Sequence, residues 1–277
     1  MTINNSVTPI NNRDYHLQAR GGLNFKKVFV SPRGDLAAIT HQGARDQNQD
    51  GFMILTIGPR KLLALADGMG GHAGGREASQ LALDQFAAAI KAGISPESAL
   101  AIAHKKILEV SREYFKQAEM GSTFVVADIS GHKADIYSCG DSRIFQVKAN
   151  GDIFLLTPDQ SWASDAYPVR PEAFPLSNPL AYYEHIRLYE NLNPLLSVLG
   201  HRLTISKLTI LLENSDRLLL CSDGLHGFLP YDRFVNIIRE LNNPPATVAA
   251  LFKETLAVMA QEEEGDNITI VLYEHRG

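Results

Sequence analysis

The apolar positions of the chain keep two different periods. From Leu36, short apolar runs bounded by turn-forming residues read as strands, at 36–40, 51–57 and 61–66, with Gly58-Pro59 as the turn between the last two. The period then lengthens. Leu83, Phe86 and Ile90 stand three and four residues apart within 76–91, and Leu100, Ile107, Val110 and Tyr114 mark one face of 96–116. Both stretches read as amphipathic helices, the second opened by Ser95-Pro96. Strand-like runs resume at 123–129, 134–139, 143–148 and 153–156. Asn150-Gly151 predicts a two-residue hairpin, in which both loop positions must tolerate positive φ. The runs 207–212 and 217–221 predict one more strand pair; helices over 230–241 and 246–261 and a strand over 267–274 follow. Antiparallel-looking strands with helices in pairs, without βαβ alternation or internal repeat, predict an α+β fold.

Two stretches fall outside this pattern. Residues 1–34 are rich in Asn, Gly and Arg, with one strand-like patch at 27–30, and read as an N-terminal extension to a domain over 35–277. Residues 158–200 hold six of the 13 prolines and the only tryptophan, Trp162. A long irregular segment inside a compact domain is either a lid or binding loop, or a surface excursion with a short helix near 180–190.

Composition narrows the function classes. At 277 residues and 45% apolar content the chain can bury a large core, and 21% charged residues argue against wholesale disorder. A net charge of −5 without a clustered Lys/Arg run argues against nucleic acid as partner. Cys139 and Cys221 form no CxxC, so neither a zinc ribbon nor a thioredoxin-type site is on offer. With no apolar signal core and no apolar run of membrane-spanning length, a cytoplasmic protein without membrane association is expected.

The candidate chemistry is acidic. Asp50, Asp67, Asp141, Asp223 and Asp266 each stand at the start or end of an apolar run. Strand ends can aim carboxylates at a common point while the loops stay open to solvent. All-oxygen donors favour Mg²⁺ or Mn²⁺ over zinc, and no HExxH argues otherwise. An isolated Asp-Gly is usually a turn held by its own hydrogen bonds. Asp67-Gly68-Met69-Gly70-Gly71-His72 carries more, because its glycines let the backbone approach a ligand closely. The cysteines, each two residues before an aspartate, read as small apolar side chains at buried strand ends rather than as a redox switch.

Six segments in order resemble the metal-dependent PPM (type 2C) serine/threonine protein phosphatases: 45–50, Asp67–His72, Gly121-Ser122-Thr123, Gly140-Asp141-Ser142-Arg143, Ser222-Asp223-Gly224-Leu225 and Gly265-Asp266-Asn267. The Asp-Gly-Met-Gly-Gly-His form resembles the bacterial branch. The resemblance implies a four-layer αββα sandwich, two central antiparallel β-sheets flanked by helices. It implies two Mn²⁺ or Mg²⁺ ions, with Asp67 bridging, the Gly68 carbonyl on one ion, Asp223 and Asp266 on the other, Asp50 supporting, and Asp141 on a weaker third metal. Arg45 matches the residue that grips the substrate phosphate, which suits a guanidinium fork. A metal-bridged hydroxide would hydrolyse phosphoserine and phosphothreonine in line, without a phosphoenzyme. The implied partners are phosphoproteins made by a Ser/Thr kinase, and a monomer is expected.

The match has departures. Position 49 is Gln where many relatives carry Glu, and Met69 stands where eukaryotic relatives place a histidine; His72, three positions on, reads as proton donor, supporting group or helix-entry residue. The interior of 158–200 matches the family's flap poorly; Trp162, Tyr167, Tyr182 and Tyr183 are candidates for recognising the phosphoprotein. Two rival functions stay open: a catalytically weak member acting as a regulatory phosphoprotein-binding module, and a small-phosphoester hydrolase. A haloacid-dehalogenase-type site would need Asp-x-Asp after a strand, and the Asp67 motif has none.

Overall fold

The computed structural model describes residues 8–11, 14–19, 26–69, 73–114, 120–161, 195–262 and 265–277. Fourteen named strands and five helices fill these stretches. The strands are β1 (Thr8–Asn11), β2 (Asp14–Ala19), β3 (Lys26–Val30), β4 (Leu36–His41), β5 (Asp50–Ile57), β6 (Arg60–Met69), β7 (Gly121–Ser122), β8 (Phe124–Ser130), β9 (Lys133–Cys139), β10 (Arg143–Val147), β11 (Ile153–Leu155), β12 (Ser206–Leu211), β13 (Arg217–Cys221) and β14 (Ile268–Glu274). The helices are α1 (Ala73–Lys91), α2 (Pro96–Tyr114), α3 (Asp223–His226), α4 (Tyr231–Glu240) and α5 (Pro244–Glu262).

The strands form two sheets. One runs β1-β2-β5-β6-β8-β9-β12 with β7 joined to β6; the other runs β11-β10-β13-β14-β4-β3. Each pairing is antiparallel, for instance β5 with β6 and β14 with β4. Between the sheets lie Leu36, Phe52, Ile54, Leu63, Leu65, Val125, Ile144, Leu218, Leu220 and Val271. The opposite face of the first sheet, including Met53, Leu62 and Ala64, packs on Ala78, Leu83, Phe86, Leu100 and Ile107 of α1 and α2. The outer face of the second, including Ile39, Phe145 and Leu219, packs on Phe234, Ile238, Val248 and Leu251 of α4 and α5. This is the expected α+β sandwich of four layers. The central strands are apolar on both faces because both are covered, which is why 51–57 and 61–66 read as continuous apolar runs.

Local chemistry sets the helix starts. The Ser98 amide donates to Ser95 Oγ at 3.3 Å, capping α2 with Pro96 in its first turn. Asn243 does the same for α5, accepting from the Ala246 amide at 3.1 Å, so that helix starts at Pro244, two residues before the expected position.

Three expectations change. The strands 206–211 and 217–221 do not pair with each other: β12 pairs with β9 in one sheet, and β13 lies between β10 and β14 in the other. The chain changes sheets over 212–216, where Ser215 takes φ +69. At Asn150-Gly151 only Gly151 has positive φ, at +89, and the Gly151 amide donates to the Lys148 carbonyl at 2.9 Å. The loop is therefore a turn followed by a left-handed glycine, not a two-residue I′ turn. Residues 1–34, read as an extension, carry β1 and β2 on the edge beside β5, and β3 beside β4. Their polar composition reads as that of a loop. The expectations for 162–194, including Trp162, the tyrosines and a helix near 180–190, lie outside the described residues, as does His72.

Candidate active site

The acidic residues come together because strand ends from both sheets open on one end of the sandwich. Asp50 starts β5 and sits directly opposite Asp67 on β6. Asp223 opens the short α3, one residue past the end of β13, and Asp266 stands two residues before β14. A cleft of about 480 Å³ lies there, lined by Arg45, Asp46, Gln47, Gln49, Asp67, Gly68, Met69, Asp223, Asp266 and Asn267. Six of the seven sequence candidates line it or lie beneath it. Asp50 is the one beneath, 1% exposed. Asp141 is not among the lining residues, although its charge is felt at Asp67 and the charge of Asp223 is felt at Asp141.

Close backbone packing holds this arrangement. The Gly68 amide donates to the Gln49 carbonyl at 3.2 Å. A Cβ on Gly68 would lie 1.9 Å from the Gly75 carbonyl oxygen, and one on Gly224 would lie 1.8 Å from that of Asn267. Only glycine fits either position. The Thr123 amide donates to the Asp67 carbonyl at 2.9 Å, and the Asp67 amide donates to Thr123 Oγ1 at 3.1 Å.

Several side chains to which the sequence assigned no role fix the acids. Ser222 Oγ donates to Asp50 Oδ2 at 2.7 Å, while Asp50 Oδ1 finds no partner among the described residues. Asn267 stitches the 42–49 loop to the Asp266 turn. Its Nδ2 donates to the carbonyls of Gln42 (2.7 Å) and Gln47 (2.9 Å), and its Oδ1 accepts from the Gln49 amide (2.7 Å). Ser222 and Asn267 adjoin Asp223 and Asp266 in sequence; that adjacency was the available signal.

Electrostatics separate these acids from ordinary carboxylates. Burial, then the Asp223 and Asp266 charges, pushes Asp50 up to about 7, against the pull of Ser222 and Thr269. Burial, then Asp50, Asp223, Asp266 and Asp141, holds Asp67 well above the usual range. Asp223 rises to about 6, through burial and then Asp266. Asp141 is raised well above its ordinary value by burial, with Asp223 next. A crowd of carboxylates whose pKa values rise by mutual repulsion is one that a cation relieves.

Arg45 pairs with one of the site acids. Its Nε and Nη2 donate to Asp266 Oδ1 (3.0 Å) and Oδ2 (2.7 Å) in a two-pronged pair at the cleft wall. The Arg45 side chain is 59% exposed, so its fork is poised at the mouth.

The donor set suits hard divalent ions: carboxylates and the Gly68 carbonyl, with an unsatisfied buried oxygen on Asp50. Among the described residues no three His, Cys, Asp or Glu side chains meet at the spacing of a closed metal cluster. Open sites of this kind suit Mg²⁺, which keeps several waters and takes one or two carboxylates.

The neighbouring His and Cys side chains are structural. His226 Nε2 meets the Asp141 carbonyl at 3.1 Å, and burial drives its pKa well below the ordinary value. His41 accepts from the Gly43 amide at 2.8 Å and packs edge-on against Phe252. Burial pushes the Cys139 thiol up to about 11 and the Cys221 thiol up to about 12, which leaves both poor nucleophiles.

A two-sheet sandwich with an acidic cleft at one end defines a class of metal-assisted hydrolases. The Protein phosphatase 2C family model matches residues 39–265, and the chain belongs to that family of protein phosphatases. It is 26% identical over 243 residues to the serine/threonine phosphatase stp of Listeria welshimeri, covering 83% of this chain and 91% of that protein. The fold matches the Mycobacterium tuberculosis serine/threonine phosphatase PstP/Ppp, with a TM-score of 0.70 at 24% identity over 87% of this chain and 98% of that one. A PstP catalytic domain in complex with two manganese ions matches at 25% identity and a TM-score of 0.67, with the same coverage. Among the described residues no helix is long and apolar enough to cross a membrane.

Proposed function

We propose that the cleft hydrolyses phosphoserine and phosphothreonine in proteins, using two divalent ions of the Mn²⁺ or Mg²⁺ kind. The observation that carries the reading is the convergence of Asp67, Asp223 and Asp266, from three separate strand ends, on one cleft of oxygen donors. In this reading Asp67, Asp223 and Asp266 would hold the two ions, the Gly68 carbonyl would contribute to one of them, and Asp141 would serve a weaker third. Asp50, buried behind Asp67, supports the site from below. The chemistry such ions supply when bound is neutralisation of phosphate charge and activation of water.

The chain's own residues do the rest. The carboxylates fix where phosphate can sit and exclude it elsewhere by repulsion. Arg45, at the mouth, offers two parallel N–H donors to phosphate oxygens once its fork turns from Asp266. Asn267 and the Gln49 amide hold the 42–49 loop, and with it Arg45, at a fixed distance from Asp266. The named relatives act as serine/threonine phosphatases, which supports phosphoproteins, the products of a Ser/Thr kinase, as substrates.

The test is a panel of phosphoserine, phosphothreonine and phosphotyrosine peptides given to the purified protein with Mn²⁺, with Mg²⁺ and with chelator. Turnover of the first two that needs metal and is lost in Asp223→Ala is expected. Undiminished turnover by that variant, or a preference for small phosphoesters over every peptide, would overturn the reading.

A further inference from the structure

Two imidazoles meet across the sheets at the end of the sandwich remote from the cleft. β8 begins at Phe124, next to Thr123 of the site, and ends at Ser130; β14 begins at Ile268, beside Asn267, and ends at Glu274. His132 lies in the turn after β8, and His275 directly follows β14. His132 Nδ1 is 3.1 Å from His275 Nε2 and 3.1 Å from the Leu212 carbonyl oxygen. One ring nitrogen carries at most one proton, so it cannot give both contacts a full hydrogen bond. The ring centroids are 5.0 Å apart with planes at 73°, so the rings meet at an angle rather than edge to edge in one plane.

The spacing is that of paired ligands. Two imidazole nitrogens bound to one ion at about 2.0–2.1 Å stand roughly 2.9–3.4 Å apart, from octahedral to tetrahedral angles. The observed separation falls within that range. The donors are also held in place. The Leu212 amide donates to the His132 carbonyl at 2.7 Å, and the His275 amide donates to the Asp216 carbonyl at 2.7 Å. On the far side of the His275 ring, Nδ1 faces the Tyr273 hydroxyl at 3.5 Å. Such an outer contact orients a ligating imidazole. The His275 side is 4% exposed, whereas His132 faces solvent, which leaves an entry path. Burial, then His132, holds the His275 pKa below its ordinary value; Lys61 works in the same sense and Asp216 against it. Neutral imidazole is the form a metal takes.

We propose that His132 Nδ1, His275 Nε2 and the Leu212 carbonyl form a second cation site, for a transition ion of the zinc, nickel or copper(II) class, that staples the two sheets together. Imidazole suits these ions, whereas the oxygen-only cleft suits Mg²⁺ and Mn²⁺. The site therefore differs from the catalytic one in both place and preference, and does not depend on the phosphatase reading.

The experiment is Zn²⁺ titration into the full chain held in excess Mg²⁺, by calorimetry and by thermal unfolding, for wild type, His132→Ala and His275→Gln. The expected result is a zinc-binding event weakened at least tenfold in His132→Ala. Saturating zinc should also raise the wild-type Tm by roughly 3 °C, a shift the variant lacks. His132 is exposed, so its variant should fold; the zinc-free Tm checks this. Should either variant unfold, Cu²⁺ electron paramagnetic resonance of the wild type serves instead, with coupling to two imidazole nitrogens expected. Equal zinc affinity and equal Tm shifts in wild type and His132→Ala, or a copper signal without two-nitrogen coupling, would overturn the proposal and leave a plain His–His hydrogen bond.

Discussion

Asp216 and Asp50 are both aspartates shielded from solvent, and they titrate in opposite directions. Asp216, in the turn that leads from one sheet to the other, accepts from Lys148 Nζ (2.8 Å), Gln146 Nε2 (3.0 Å) and the amides of Glu213 (3.0 Å) and Ala149 (3.2 Å). Burial works upward on it, but Lys148 and the Glu213 amide pull it below the ordinary carboxylate value. Asp50 accepts from Ser222 Oγ, with Thr269 pulling in the same sense, no cation pairs with it among the described residues, and it is pushed up to about 7. The buried Arg143–Asp159 pair belongs with Asp216, its guanidinium donating through Nε (2.9 Å) and Nη2 (2.6 Å). Where this chain buries an acid for structure, it supplies the donors. Where it gathers Asp50, Asp67 and Asp223, it withholds most of them, and the cost is borne for chemistry.

The contrast can be broken at several points. The largest effect should come from Asp67→Asn: a loss of about 10³-fold or more in Mn²⁺-dependent turnover of a phosphothreonine peptide, with Tm in chelator unchanged or higher. A large fall in Tm would show that Asp67 is a structural acid like Asp216. Next is Asp159→Ala, which removes the two-pronged carboxylate from the buried Arg143 guanidinium and should cost about 3–5 kcal/mol in urea unfolding. Asp216→Asn should cost about 2 kcal/mol at neutral pH. Because the folded pKa of Asp216 is depressed, its contribution is present above the unfolded value and lost as pH falls through the folded one. The wild-type advantage over the variant should therefore shrink in acid. The smallest effect runs the other way. The folded pKa of Asp50 is raised from 3.8 to about 7. The folded state therefore binds the extra proton, and stability falls as pH rises through that window. In chelator, Asp50→Asn should unfold a few degrees above wild type at pH 8, and the gain should vanish near pH 4.

Sequence carried most of this site but not its supports. The acids were legible because each adjoins an apolar run, and a strand end is where a side chain can leave the core. The strand runs themselves were legible because β5, β6, β13 and β14 are apolar on both faces. What failed was pairing. Nothing in 206–221 signals that Asp216 anchors a crossing between sheets, since its partners Gln146 and Lys148 lie far away in sequence. The edge strands β1 and β2 escaped for a different reason: their composition resembles that of a loop. The placing of Arg45 beside the acids followed from its motif, but its fork on Asp266 depends on a contact 221 residues away.

The place of β14 in its sheet has a consequence for how the protein is made. β14 lies between β13 and β4, near the centre of six strands, yet it is the last of the described strands in sequence. β3 and β4 therefore leave the ribosome long before the neighbour that joins them to β13. A nascent chain must hold two open strand edges until residue 274 emerges, a long-range closure that slows folding and exposes pairing surfaces. The same late event delivers Asp266 to the cleft, so a partly synthesised chain cannot carry a complete site.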